Sequence, residues 1–279
     1  MVPLFQENKL SFGVGLRHQH FKYFTKKIKD VDVLEIHPEN FFGKGIEHHY
    51  LEQISEIYDI SFHGIGLSLG SEEKVDKSHL KKIRNLMAKY KPFIYSEHMS
   101  WMKVDGIFFH DLLPLDYTKK RLNYLKQNIE DTQNYLGHNI CIENPSYYLK
   151  IIGDMEEYDF LNELCELTGC EILLDINNLY INSVNHNFNP IEYIDKLDLK
   201  FIREVHLAGH SFQTIDDKKI IIDTHDDFVK QGVWDLYRYY INKANAPFFT
   251  IVEWDQELPK EKELVSELTK AKHMVTKYA

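Results

Sequence analysis

Short apolar runs alternate with longer stretches of helical spacing along the whole chain. The runs cover 10–17, 31–39, 60–69, 93–101, 139–146, 171–179, 201–210 and 248–255. They have the composition of strands covered on both faces. Between them apolar residues return at helical spacing, as in Leu80, Ile83 and Leu86, or Leu122, Leu125, Ile129 and Leu136. A last helix follows Pro259, with Leu264, Val265, Leu268 and Val275 on its apolar face. Asp154 and Glu157 fit a capping pair ahead of Leu161, Leu164 and Leu167, and Gly169 fits a stop. Eight strands, each followed by a helix, predict an α/β chain folded as a (β/α)8 TIM barrel, a single domain over 1–279. A doubly wound sheet has the same alternation. The chain lacks G-x-G-x-x-G after its first strand and G-x-x-x-x-G-K-[ST] throughout, so dinucleotide and P-loop nucleotide binding lose their usual support.

The strand segments begin apolar and turn polar toward their C-terminal ends. Strand two ends in Glu35-Ile36-His37-Pro38-Glu39-Asn40, strand three carries His63 and strand four Ser96-Glu97-His98. Strand five carries Glu143-Asn144, strand six Asp175-Ile176-Asn177-Asn178, strand seven His206 through His210, and strand eight Glu253-Trp254-Asp255. Asp223-Thr224-His225 lies between the last two. A (β/α)8 barrel gathers these ends on the face that carries active sites. Carboxylates and imidazoles converging there would leave buried charge unpaired unless cations sit among them. Taken singly each residue has a plainer explanation: a hydrogen-bonded structural histidine for His63, a helix cap for Glu143-Asn144, an Asx turn for Asp175. The pooled pattern points to metal. His37, His48, His49, His79, His110, His138, His186 and His273 are read as surface or structural.

Composition narrows the chemistry. There are 33 basic and 43 acidic residues, a net charge of −10 with histidine neutral, which disfavours nucleic acid and anionic membranes as partners. Cys141, Cys165 and Cys170 form no C-x-x-C pair and leave one thiol over in any disulfide scheme, as expected of a reduced, cytoplasmic protein. The opening MVPLFQENKL has no basic stretch followed by an apolar one, so no secretory signal is expected, and no apolar run is long enough to span a membrane. Imidazole and carboxylate without thiolate suit iron, manganese or zinc. The ligand-type residues exceed what one ion needs, so two or three ions sharing a carboxylate are expected, with Glu143 as the bridge.

The same stretches resemble the multinuclear non-haem iron-dependent oxidative enzymes. The resemblance runs through Gly13-Val14-Gly15-Leu16-Arg17, Glu39-Asn40-Phe41-Phe42, His63-Gly64-Ile65-Gly66-Leu67-Ser68-Leu69, Ser96-Glu97-His98-Met99-Ser100-Trp101 and Glu143-Asn144-Pro145-Ser146. It continues through Leu174-Asp175-Ile176-Asn177-Asn178, His206-Leu207-Ala208-Gly209-His210, Ile222-Asp223-Thr224-His225 and Glu253-Trp254-Asp255. It implies a TIM barrel holding two or three iron ions and O2-dependent modification of a ribosomally made precursor peptide, typically at cysteine. It also implies a separate partner protein that presents the leader. The implied metal ligands are His63, His98, Glu143, Asp175, Asn178, His206, Asp223, His225 and Glu253; the implied catalytic group is Glu143, Asp175 and His210, with Glu97 behind them.

Two rivals stand beside this reading. A zinc or manganese hydrolase or isomerase of the xylose isomerase or type IV apurinic endonuclease kind would gather the same residue types on the same barrel, activating water or clamping phosphate. A binding module with purely structural metals is the third, and it leaves most of the convergent polar groups without a purpose.

Overall fold

A computed structural model describes residues 10–278; the stretch 1–9, which carries most of the secretory-signal expectation, lies outside the described residues. Eight parallel strands close into a barrel: β1 (Ser11–Gly15), β2 (Val33–Ile36), β3 (Asp59–Gly64), β4 (Ile94–His98), β7 (Cys141–Glu143), β8 (Glu171–Asp175), β9 (Ile202–Leu207) and β12 (Phe249–Val252). Each pairs with the next in this order, and β12 pairs with β1 to close the ring. Gly13 sits at that closure. A Cβ there would lie 2.4 Å from the Val33 carbonyl oxygen and 2.8 Å from Ile251 Cδ1, so only glycine lets β1 fit between its neighbours.

The remaining strands form two antiparallel hairpins, β5 (Trp101–Val104) with β6 (Ile107–Leu113) and β10 (Ser211–Ile215) with β11 (Lys218–Ile222). They follow β4 and β9 and stand outside the barrel sheet. Their outer residues are largely exposed, and the apolar alternation that marks a buried strand is missing from them.

The helices are α1 (Phe21–Phe24), α2 (Ile46–Ser55), α3 (Lys77–Tyr90), α4 (Lys119–Leu136), α5 (Glu157–Thr168), α6 (Ile176–His186), α7 (Pro190–Lys196), α8 (Gln231–Lys243) and α9 (Glu261–Tyr278). The expected stripes are buried: Leu80, Ile83 and Leu86 on α3, Leu122, Leu125, Ile129 and Leu136 on α4, and Leu264, Leu268 and Val275 on α9. Each such side chain contributes roughly 1.5–3 kcal/mol by leaving water. Helix α5 departs from the expectation at its start. Asp154 is not its cap; its backbone N–H, like that of Met155, is held by the Tyr117 carbonyl, so the chain stays outside the helix until Glu156. The stop is as expected: Gly169 takes φ 68° and its N–H closes onto the Cys165 carbonyl. All three cysteines are buried free thiols.

The barrel lumen changes character along its axis. A plug of Val33, Phe249 and Ile251, with Phe93 and Ile94 against it, fills one part of it. Two residues further along β2 the chain places Glu35 on the same face as Val33, and two further along β12 it places Glu253 with Ile251. Above the plug the lumen is therefore polar.

Candidate metal centre

Each strand delivers its side chain by register. His98 lies opposite Glu143, and Asp175 opposite His206, in adjacent strands. His63 and His206 come from strands on opposite sides of the ring, yet their rings are 5.1 Å apart, which places both in the lumen. His63 Nε2 and His98 Nε2 each stand 3.1 Å from Glu143 Oε2. His206 Nε2 is 3.2 Å from Glu35 Oε1, and its Nδ1 is 3.2 Å from Glu253 Oε2 and 4.0 Å from Asp175 Oδ2. His225 approaches Asp223 Oδ1 at 2.8 Å through Nε2 and Glu253 Oε2 at 3.4 Å through Nδ1.

Many of these contacts are short without being hydrogen bonds. Glu143 Oε2, Asp175 Oδ2, Asn178 Oδ1, His206 Nδ1 and His225 Nε2 are buried with no hydrogen-bond partner. A native interior does not leave such atoms orphaned unless something else satisfies them. Among the described residues four trios of ligand-type atoms lie within 4.8 Å of one another: His63, Glu143 and His206; Glu35, His206 and Glu253; Asp175, His225 and Glu253; His37, Glu253 and Asp255. The donors are imidazole nitrogens and carboxylate oxygens. That set fits iron, manganese or zinc ions.

The opposite faces of the ligand-type groups are fixed. Ser96 Oγ lies 2.9 Å from His63 Nδ1, and the Gly64 carbonyl 3.2 Å from His98 Nδ1. Asp223 is held by Ser146 at 2.9 Å and Asn177 at 3.0 Å. Asp175 caps α6: its Oδ1 accepts the Asn178 N–H at 2.7 Å, which leaves Oδ2 turned into the site. The helix-cap and metal readings of this residue are thus both met by one carboxylate. His225 adopts φ 45°, uncommon outside glycine and the short polar residues and held here by its contacts with Asp223 and Asp255.

Of the residues expected from sequence, His63, Glu143, Asp175, His206, His225 and Glu253 share the trios. His98 and Asp223 join through Glu143 and His225. Asn178 donates to Glu143 Oε1 at 3.2 Å. His210 stays at the edge, 2.8 Å from Asn177 Oδ1 and stacked on Tyr180. Glu97 lies on the opposite face of β4 from His98, where it accepts from Tyr95 at 2.6 Å. His37, read as structural or surface, has its Nδ1 3.0 Å from the His63 carbonyl oxygen as a structural histidine would, while its Nε2 stands 3.8 Å from Glu253 Oε1 within a trio.

Glu35, Glu204, Arg17 and Asp255 were not among the expected site residues. Glu35 and Glu204 are wholly buried beside His206, and Arg17 reaches Glu253 at 2.8 Å and Asp255 through Nε at 2.7 Å. Glu204 sits mid-strand, where position at a strand end did not mark it, and Glu35, though in the polar end of strand two, precedes the apolar Ile36; a charged residue inside an otherwise apolar run was the available signal.

Burial raises the carboxyl of Glu143, but His98 and His63 outweigh it and hold the group at about 2. Asp175 is driven well up by burial and by Glu143. Burial lowers His63, yet Glu143 and Glu35 lift it to about 10; His206 and His225 are raised by their carboxylates in the same way. Without a cation, protons on these imidazoles balance the carboxylates. Metal binding is therefore expected to release protons, and to weaken as pH falls, by about tenfold per unit for each proton displaced. Calorimetric titration of the metal-free protein in phosphate and in Tris reads that release as a buffer-dependent enthalpy.

Position also separates histidines. His63→Ala and His225→Ala should each lower metal content, whereas His48→Ala and His273→Ala should not. His48 lies on α2 against Tyr90 and the Gly43 carbonyl, and His273 is exposed on α9. Metal analysis of the four variants checks this; equal loss in all would mean general destabilisation.

Residues 11–276 match a family described as RiPP precursor modification enzyme MbnB/TglH/ChrH. The chain is 40% identical over 261 residues to a UPF0276 protein of Psychromonas ingrahamii, covering 93% of this chain and 92% of that one. It is 40% identical over 261 residues to a UPF0276 protein of Vibrio parahaemolyticus, covering 93% and 90%. Among solved structures, D-psicose 3-epimerase with D-tagatose from Clostridium cellulolyticum aligns with TM-score 0.61 at 10% identity, covering 96% of both chains. Endonuclease IV from Thermus thermophilus aligns with TM-score 0.59 at 13% identity, over 96% of this chain and 99% of that one. At such identities the likeness shows a shared TIM-barrel fold and nothing about chemistry.

Proposed function

This chain belongs to the MbnB/TglH/ChrH family of RiPP precursor modification enzymes, and from that premise we propose that it is an iron-dependent oxidoreductase that uses O2 to modify cysteine residues of a ribosomally made precursor peptide. The observation that supports this most is the set of orphaned nitrogen and oxygen atoms, brought from several strands to one end of the barrel. Two or three iron ions would be held by His63, His98, Glu143, Asp175, Asn178, His206, Asp223, His225 and Glu253. Iron bound there would supply redox chemistry with O2 and a partner for a substrate thiolate.

The protein's own groups do the positioning. Ser96 and the Gly64 carbonyl fix the rings of His63 and His98, Asp255 lies 3.2 Å from His225 Nδ1, and Asn177 and Ser146 hold Asp223. Such outer contacts set ring orientation and ligand basicity. His210, whose Nε2 is unpartnered, is the group we assign to hold or move a proton beside the centre, while Glu143 and Asp175 act there as ligands. Ile107, Phe108 and Phe109 on the first hairpin and Phe212 and Ile215 on the second are exposed, an apolar rim suited to a peptide. A leader-presenting partner protein and a cytoplasmic setting complete the proposal. No described helix is long and apolar enough to cross a membrane.

The test is a mass comparison of a cysteine-containing precursor peptide after incubation with iron-loaded protein, with and without O2. A mass change that needs O2 and reduced iron, and disappears when the cysteine is replaced by serine, is the expected result, because a serine hydroxyl is a far poorer metal ligand than a thiolate. The same change without O2 would favour a zinc or manganese hydrolase.

A further inference from the structure

A cavity of about 500 Å³ opens between the β7–α5 connection, the segment before α4 and the start of α7. Tyr117, Tyr147, Tyr158, Tyr193 and Phe188 wall it, and Glu157 lies among them. Glu157 is 7% exposed, and its Oε1 accepts from Tyr193 at 3.1 Å. Acidic residues at a helix start complement the dipole from the surface, as exposed Asp159 does on the same turn of α5. That role does not require a carboxyl buried among tyrosines. Burial, the largest influence on Glu157, pushes its carboxyl up to about 7, so it lacks a cation that would hold it ionised.

The charges around the cavity point the same way. Glu156 caps α5 without any side-chain hydrogen bond of its own. Glu192 is occupied by Lys196 at 2.8 Å, and the same Nζ lies 5.0 Å over the Tyr158 ring. Tyr158 thus already has a cation on the outside of the wall, and Tyr117, Tyr147, Tyr193 and Phe188 are the aromatic groups offered to a ligand. Lys150 lines the cavity but is exposed. The interior thus offers carboxylate and aromatic faces together, the combination that attracts a cation. A planar guanidinium matches it best, since it stacks on a ring and forks onto a carboxylate.

The cavity is also tied to the metal centre. Tyr147 in its wall is four residues past Glu143, so the two are within about 14 Å along the chain. Ser146, between them, bonds Asp223.

We propose that this cavity binds a basic side chain of the substrate peptide, arginine in preference to lysine, within about four residues of the one presented to the metal centre. The inference rests on the peptide-modifying reading for its ligand's source, but its test does not depend on metal or turnover.

Ligand-observed NMR titration of the purified protein with N-acetyl-arginine amide and its neutral isostere N-acetyl-citrulline amide reads binding alone. Arginine should bind at least about fivefold more tightly, and Glu157→Gln should abolish the difference. Lys150→Glu, an exposed change that leaves the fold alone, should strengthen arginine binding about twofold or more. Equal binding of the two probes, no binding of either, tighter binding of N-acetyl-norleucine amide or N-acetyl-glutamate amide, or weaker arginine binding by Lys150→Glu would each overturn the proposal. Because the readout is binding, failure of O2-dependent turnover would count against the oxidase reading and leave this result standing.

Discussion

Glu143→Gln is expected to strip at least one metal from the protein and lower turnover by a factor of about 100 or more, while the barrel stays folded. Gln is nearly isosteric and keeps the bond to Asn178, which already reaches Oε1 at 3.2 Å. What it loses is the charge on Oε2, the atom that His63 and His98 both approach at 3.1 Å. In the metal-free protein the loss is partly offset, because Glu143 is one cause of the upward shift at its neighbour Asp175. The His63 imidazolium still loses its main counter-charge, so the metal-free protein should be destabilised, though by less than replacing Arg17 does, because Asp175 is relieved. Metal analysis and thermal unfolding of the same preparation check both halves; full occupancy with wild-type turnover would remove Glu143 from the centre.

The largest effect on stability should come from Arg17. Its guanidinium is nearly buried and bonds Glu253 at 2.8 Å and Asp255 at 2.7 Å. Removing one partner of a buried pair leaves the other charge uncompensated, which typically costs about 3–5 kcal/mol. We expect Arg17→Met to lose close to the lower figure, since His206 and His225 also flank Glu253. Denaturant unfolding in the presence of chelator measures it. A loss below about 1 kcal/mol would mean that Arg17 behaves as a surface ion pair.

The eight barrel strands were legible because both faces of each are covered, which makes their sequences continuous apolar runs. Their ends were less so. The run 171–179 looks like one strand, but Asp175 caps a helix that starts at Ile176 without a loop. The two hairpins escaped notice because most of their residues, Met102 and Ile221 apart, are wholly or partly exposed and carry no alternation. At the site, residues at strand ends stood out by position, whereas Glu204 lay hidden inside an apolar run. His37 follows its strand directly before Pro38, where a histidine is ordinarily a surface residue; only the closed ring brings it toward Glu253. The choice of Glu143 as the shared carboxylate also followed strand order alone. Geometry gives Glu253 a comparable place, since it belongs to three of the four trios.

The most direct test of the account is the iron content of protein produced under iron-replete, anaerobic conditions and measured by inductively coupled plasma analysis. The account predicts at least two irons per chain. Zinc alone, or a single ion of any metal, would contradict it.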